Sequence, residues 1–191
     1  EDAERVSSVL ELTLTKRQGV PMCGFPYHAL ENYLPRLVAA GVKVAIAEQM
    51  EDPKLAQGIV KRQVTRIITP GTIIDNALLN PTCNNYLTAL VSGRDRSALA
   101  SLDISTGEFR VTETDSPEKL RTELDRLNTR ECVISHKLAA EFRANDSWPE
   151  TRNKILWTEL DSEEFETERS ESFLKEHFQV ATLDGFGCRD L

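Results

Sequence analysis

Val20-Pro21-Met22-Cys23-Gly24-Phe25-Pro26-Tyr27-His28-Ala29-Leu30-Glu31-Asn32-Tyr33 joins a Gly and a Pro two residues apart to the start of an apolar stripe. Glycine admits unusual backbone angles and proline locks its own, so Gly24 to Pro26 describes a shaped loop. Leu30, Tyr33, Leu34, Leu37 and Val38 then recur at i, i+3, i+4, i+7 and i+8, the spacing of one helix face. Gly41 is placed to stop that helix. Pro35 lies inside the stripe, where it removes one backbone bond and predicts a kink. The stretch therefore reads as a rigid loop that delivers aromatics and a histidine to a helix start.

Working outward, Val6, Leu10 and Leu12 suggest the end of a helix running into extended Leu12-Thr13-Leu14-Thr15. Lys16-Arg17-Gln18-Gly19 reads as a polar loop. Val42 to Glu48 alternates like a strand, Glu51-Asp52-Pro53 breaks it, and Lys61 to Ile68 reads as a second strand. Thr69-Pro70-Gly71-Thr72 places Pro-Gly at the centre of a turn. Asp75 to Pro81 is a short connector, with a domain boundary expected between Ala77 and Asn84. Beyond it, Asn85–Ser92, Ser97–Ile104 and Gly107–Glu113 read as three strands joined by hairpin turns. Ser116-Pro117-Glu118 starts a helix with a cap, a proline and an acid, and Leu120, Leu124 and Leu127 line one face of it. Glu131–Ile134 predicts a fourth strand, Ala139–Phe142 a brief helix and Lys154–Leu160 a fifth strand. A helix starting at Asp161, with Glu164 as its capping-box partner, is expected to run to Phe178. Three strands followed by helix-strand-helix-strand-helix is the order of a ribonuclease H-like sheet, and of other α/β domains too.

The 191 residues carry 23 Lys/Arg against 31 Asp/Glu, net −8. Such a balance argues against a nucleic-acid binder. Its distribution qualifies that: residues 1–83 hold nine of each sign, whereas residues 84–191 hold 14 Lys/Arg against 22 Asp/Glu. A neutral first half can carry a basic patch, and an acidic second half suits a protein partner better than a phosphate backbone. Cys23, Cys83, Cys132 and Cys188 are widely spaced, as are His28, His136 and His177, so neither a zinc site nor a disulfide framework is indicated. Free thiols point to a reducing compartment. There is no membrane-length apolar run, no signal-peptide pattern and no phosphate-binding loop. Glu1 to Arg5 reads as the inside of a helix, so the chain is expected to begin within a domain.

Four groups of residues bear on chemistry. Lys16, Arg17, Tyr27 and His28 flank the opening loop, where cations suit phosphates and an aromatic suits bases or sugars. Composition alone favours a solvated loop with a core tyrosine. Lys61, Arg62 and Arg66 form a basic cluster on a strand, with the two arginines expected on one face; charge protecting an edge strand is the plainer account. Asp103 stands near the middle of a strand, as a ribonuclease H-type nuclease requires for two metal ions, with Glu123 and Glu159 or Asp161 as companions. No spacing shows these carboxylates converging, and a structural aspartate is the plainer account. The run from Glu159 to Glu171 reads as a solvated helix face or a surface for a basic partner.

Leu14-Thr15-Lys16-Arg17, Pro21 to Tyr33, Val44 to Gln49, Lys61 to Thr72, Leu102 to Phe109 and Gly185-Phe186-Gly187 together resemble the N-terminal region of the bacterial DNA mismatch-repair MutS family. The resemblance implies an α/β chain. Residues 1–80 would be a mixed-sheet mismatch-recognition domain truncated at its N-terminus, and residues 84–191 a ribonuclease H-like connector domain. The expectation is a piece of a longer chain, cut at both ends. Full-length members bind mispairs and small loops as clamp-shaped homodimers, kink the duplex and recruit MutL. They use ATP and Mg in an ATPase domain that has no counterpart here. This chain would be non-catalytic, without a cofactor, a monomer, and cytoplasmic at the nucleoid rather than at a membrane; the alternative is a metal-dependent nuclease centred on Asp103.

The resemblance places Lys16, Arg17, Phe25, Pro26, Tyr27 and His28 on the DNA-proximal side and aligns Ser170, Glu171, Ser172 and Phe173 with a MutL-docking segment. The family's Phe-x-Glu wedge has no match among these residues and is expected just upstream of Glu1. Pro35 replaces a good helix former.

Overall fold

The computed structural model describes residues 1–52, 58–73, 79, 82–93, 95–151 and 154–187. Helix α1 (Asp2–Leu10) buries Leu10 and ends at Glu11 in the left-handed conformation, φ 57°. Its last carbonyls are capped from outside: the Arg36 guanidinium donates to the oxygens of Val9 and Leu10 at 3.1 and 3.2 Å. Cations suit this end of a helix dipole.

Strands β1 (Thr15–Arg17) and β2 (Val20–Met22) form an antiparallel hairpin with Lys16 opposite Pro21 and Arg17 opposite Val20. The expected polar loop at Lys16–Gly19 is therefore corrected. Gln18 and Gly19 both have positive φ, 53° and 83°, the two-residue turn that matches strand twist. Three-residue strands are too short to show alternation, which is why the pattern concealed them.

A 3₁₀ turn (Tyr27–Ala29) leads into α2 (Leu30–Ala39), which buries Leu34, Leu37 and Val38 as its spacing requires. The helix continues through Pro35 to Ala39. It stops at Gly41, φ 70°, whose N–H reaches Val38 O while the Val42 N–H reaches Leu37 O. That pair of bonds is a Schellman motif, which needs a left-handed residue at the glycine. Strands β3 (Val44–Gln49) and β4 (Arg62–Ile68) pair antiparallel, with a bulge between the Ile46–Arg66 and Ala47–Val64 pairs. Leu34, Val38, Ile68 and Ile73 form the small core of this first unit. The expected boundary between Ala77 and Asn84 falls half outside the described residues, and Cys188 lies wholly outside them.

The second unit is a five-stranded sheet in the order β7-β6-β5-β8-β9. Its strands are β5 (Tyr86–Ser92), β6 (Ser97–Asp103), β7 (Glu108–Thr114), β8 (Glu131–Ser135) and β9 (Leu156–Leu160). Strands β5, β6 and β7 are antiparallel, whereas β8 pairs parallel with both β5 and β9. Helix α3 (Pro117–Arg126) starts on the Ser116 cap, whose hydroxyl accepts the Lys119 N–H. Helix α4 (His136–Asn145) starts on Ser135, which accepts the Leu138 N–H, and is longer than the brief helix the sequence suggests. Both bury leucines with Leu90, Leu99, Cys132 and Ile134 in one core, against which Phe142, Trp148 and Trp157 pack.

The acidic helix is also corrected. Asp161 does not start it; Ser162–Phe165 makes a separate 3₁₀ turn, and α5 spans Thr167–Phe178 with no fully buried residue.

Ile134 is fully buried at the centre of the larger core. Ile134→Ala is expected to destabilise the chain by about 2–5 kcal/mol through lost burial and a residual cavity. Urea unfolding followed by the fluorescence of Trp148 and Trp157 measures it.

Candidate nucleic-acid interface

The hairpin register separates the two cations at residues 16 and 17. Directly opposed side chains share a face, so Arg17 stands with Val20, and Thr15 with Met22 on that same face, while Lys16 stands with Pro21 on the other. Val20 and Met22 are both exposed, so Arg17 projects from an apolar surface open to solvent.

After the hairpin, Phe25 turns inward. Its ring centroid lies 4.6 Å from that of Tyr33 on α2, which fastens the loop to the helix. Pro26, at φ −58° and ψ 139°, sets the chain for the 3₁₀ turn, closed by the Ala29 N–H on Pro26 O at 2.9 Å. That turn throws Tyr27 outward to 87 % exposure, with His28 exposed beside it. The core tyrosine suggested by composition is thus corrected: the half-buried ring is Phe25, and Tyr27 is free.

Lys61, Arg62 and Arg66 are all exposed. The Lys61 main chain is held by Glu51, whose carboxylate accepts its N–H at 2.6 Å. The two arginines do not share a face, because the bulge breaks the alternation: Arg62 stands opposite Gln49 and Arg66 opposite Ile46.

The two units differ in how many of their cations are paired. Among the described residues, Lys16, Arg17, Lys61, Arg62 and Arg66 have no carboxylate within ion-pair distance, whereas Arg36 is paired with Glu11. In the second unit Arg96, Arg110, Lys119, Arg126, Arg143, Arg169 and Lys175 are each paired with a carboxylate, whereas, among the described residues, Arg121, Arg130, Lys137 and Lys154 are not. Net charge per half, which is all the sequence displays, hides this difference, because pairing is decided by the fold.

The carboxylates considered for a metal site do not converge. Asp103 is buried with both oxygens occupied: Oδ2 accepts the Asn85 N–H at 3.1 Å, and Oδ1 accepts the Ser105 N–H and hydroxyl at 2.9 and 2.6 Å. Burial opposes its ionisation, but these bonds from Ser105 and Asn85, with another from the Thr106 backbone, prevail and hold the carboxyl below the usual range. Glu123 is paired with Arg126, and Glu159 with Arg143 and His136. Among the described residues no three His, Cys, Asp or Glu side chains group as a metal site would require.

On α5, Ser170 is half-buried, Glu171 pairs with Lys175 at 2.6 Å, Ser172 is exposed, and Phe173 is exposed and stacked on His177. His177 meets Phe178, which meets Phe186, so four rings run across the surface. Among the described residues no helix is long and apolar enough to cross a membrane.

Comparison with known proteins gives the class of this two-unit chain. The family models described as MutS domain I and MutS domain II match residues 1–77 and 85–191. A DNA mismatch repair protein MutS from Methanococcoides burtonii is 42 % identical over 200 residues, covering all of this chain and 22 % of the relative. One from Protochlamydia amoebophila is 44 % identical over 187 residues, covering 98 % of this chain and 22 % of the relative. One from Symbiobacterium thermophilum is 42 % identical over 200 residues. The chain belongs to the MutS family, and it spans about a fifth of the length of these relatives.

Two expectations test this geometry. Tyr27→Ala should change stability by no more than about 0.5 kcal/mol, since the ring touches little, whereas Phe25→Ala should cost about 1–2 kcal/mol; thermal melts compare them. Asp103 has a depressed carboxyl in the folded chain, so its stabilisation is full above the unfolded value near pH 4 and is lost as pH falls through the folded value. Asp103→Asn should therefore be less stable by about 1–3 kcal/mol at pH 7, with a gap that narrows below about pH 4. Urea unfolding across pH reads the gap.

Proposed function

We propose that this chain is the DNA-contacting and partner-docking front of a mismatch-repair protein, in which the first unit lies along the duplex and the second docks a protein. The observation that carries this reading is the set of unpaired cations on the hairpin and β4 of the first unit, together with an aromatic held out in solvent on the loop that follows the hairpin. Cations without carboxylate partners are available to phosphates, and an exposed ring on a braced loop can lie against sugars or bases. The second unit neutralises most of its own cations and presents acid and aromatic rings instead, a surface suited to a protein.

The relatives' name supplies mismatch repair as the process. Kinking is a physically sound way to read a mispair, because a mispaired step is easier to unstack and bend than a paired one. On this reading the wedge, the clamp dimer and the ATP-dependent steps belong to other parts of the full protein, and the sheet order β7-β6-β5-β8-β9 supports a ribonuclease H-like connector. Ser170, Glu171, Ser172 and Phe173 lie on the α5 surface proposed to receive MutL. The protein would work in the cytoplasm at the nucleoid.

Fluorescence anisotropy with paired and G·T-containing duplexes tests the DNA reading. The chain should bind both weakly, with a mismatch preference under about fivefold, or about 1 kcal/mol. Lys16→Ala and Arg17→Ala should weaken binding to both duplexes alike, each lowering the slope of affinity against salt by about one unit. Affinity unchanged in the double variant would sink the assignment of these residues to phosphates.

A further inference from the structure

Helices α3 and α4 cover one face of the five-stranded sheet. The opposite face carries Leu87 on β5 and Glu131 on β8, which are register partners. One corner of that face is covered by the first unit, through the turn Thr69-Pro70-Gly71-Thr72. The turn is closed by the Thr72 N–H on Thr69 O at 3.1 Å and braced by the two threonine hydroxyls, 2.8 Å apart.

Two side chains of the second unit hold the turn's backbone. The Asn85 amide donates to Pro70 O at 2.8 Å, and the Gly71 N–H donates to Glu131 Oε2 at 3.0 Å. Glu131 is 2 % exposed, and its other oxygen accepts the Thr158 hydroxyl from β9 at 2.7 Å. The fit leaves no room for a side chain at residue 71. A Cβ there would lie 2.9 Å from Leu87 Cδ1 and 3.0 Å from Glu131 Cβ. The glycine is thus required by close approach rather than by backbone angle, since its φ is not positive.

We propose that Glu131 is a positioning residue that clamps the Pro70-Gly71 turn and so sets the orientation of the DNA-contacting unit on the connector sheet. A carboxylate buried this deeply is costly unless both oxygens are used. Here one is used by the sheet itself and the other by a backbone amide from the other unit. The arrangement makes the junction specific in direction as well as in contact. Swinging the first unit away would strand a buried carboxylate oxygen and free the Gly71 amide together. The inference concerns coupling between the units and does not depend on what the first unit binds.

The test uses the full 191-residue chain with Cys23, Cys83 and Cys188 changed to serine and spin labels placed on S8C in α1 and A140C in α4, both exposed positions. Double electron–electron resonance should give one narrow distance for this parent. Glu131→Ala should broaden it and speed Gly71 amide exchange by about tenfold or more. Glu131→Gln should restore the narrow distance, because its carbonyl can accept from Gly71 while its NH₂ donates to the Thr158 hydroxyl. Trp148 and Trp157 report whether the connector stays folded. If Glu131→Ala unfolds it, Gly71→Ala and Asn85→Ala probe the clamp from its other partners and should broaden the distance likewise. A narrow distance and slow exchange in the folded alanine variants, or a glutamine variant as broad as alanine, overturns the proposal.

Discussion

Strand β5 carries both kinds of ladder, antiparallel to β6 and parallel to β8, and the second unit depends on the parity this imposes. Side chains alternate along a strand, so Tyr86, Thr88 and Leu90 turn to the helices while Leu87 and Ala89 turn away. Leu90 and its partner Leu99 then meet Cys132 and Ile134 beneath α3 and α4. Thr88 lies in the same buried layer and is satisfied by Ser101 at 3.1 Å and Thr129 at 3.4 Å. A shift of one residue would bury Leu87 and Ala89 instead and expose this core, so register and core select each other.

The buried acids mark the places where that sheet connects to something else. Asp103 ends β6 and organises the next turn through Ser105, while also holding the Asn85 N–H at the start of β5. Glu131 begins β8 and receives the first unit. Each carboxylate is placed where backbone amides need an acceptor, which accounts for their burial without any metal chemistry. The polar groups are spent on connections, and the apolar ones on the layer between sheet and helices.

Charge follows the same division. The second unit is acidic, yet many of its cations are held in ion pairs, while the basic side chains of the hairpin and of β4 stand free. A phosphate backbone senses available charge as well as net charge, so the neutral balance of the first half does not by itself argue against one. Burying Phe25 against Tyr33 while exposing Tyr27 gives that half a braced loop with a free aromatic tip.

Much of this was legible from residue order. The stripe from Leu30 to Val38, the Gly41 stop, the Ser116 cap with its proline, and the strands from Tyr86 to Thr114 follow from local periodicity and local backbone preference. Such features depend on neighbours within a few positions, and the motifs from Pro21 to Tyr33 and Lys61 to Thr72 carried the family as well. The hairpin at Thr15–Met22 escaped because its strands are shorter than the pattern that reveals strands. The separation of Arg62 from Arg66 escaped because a bulge is a property of two strands paired together. Which cations stand free, which ring of the opening loop is buried, and why residue 71 must be glycine were decided only in three dimensions. Each depends on groups that meet from distant parts of the chain, Gly71 on Leu87 and Glu131 above all, and local sequence carries no record of that meeting.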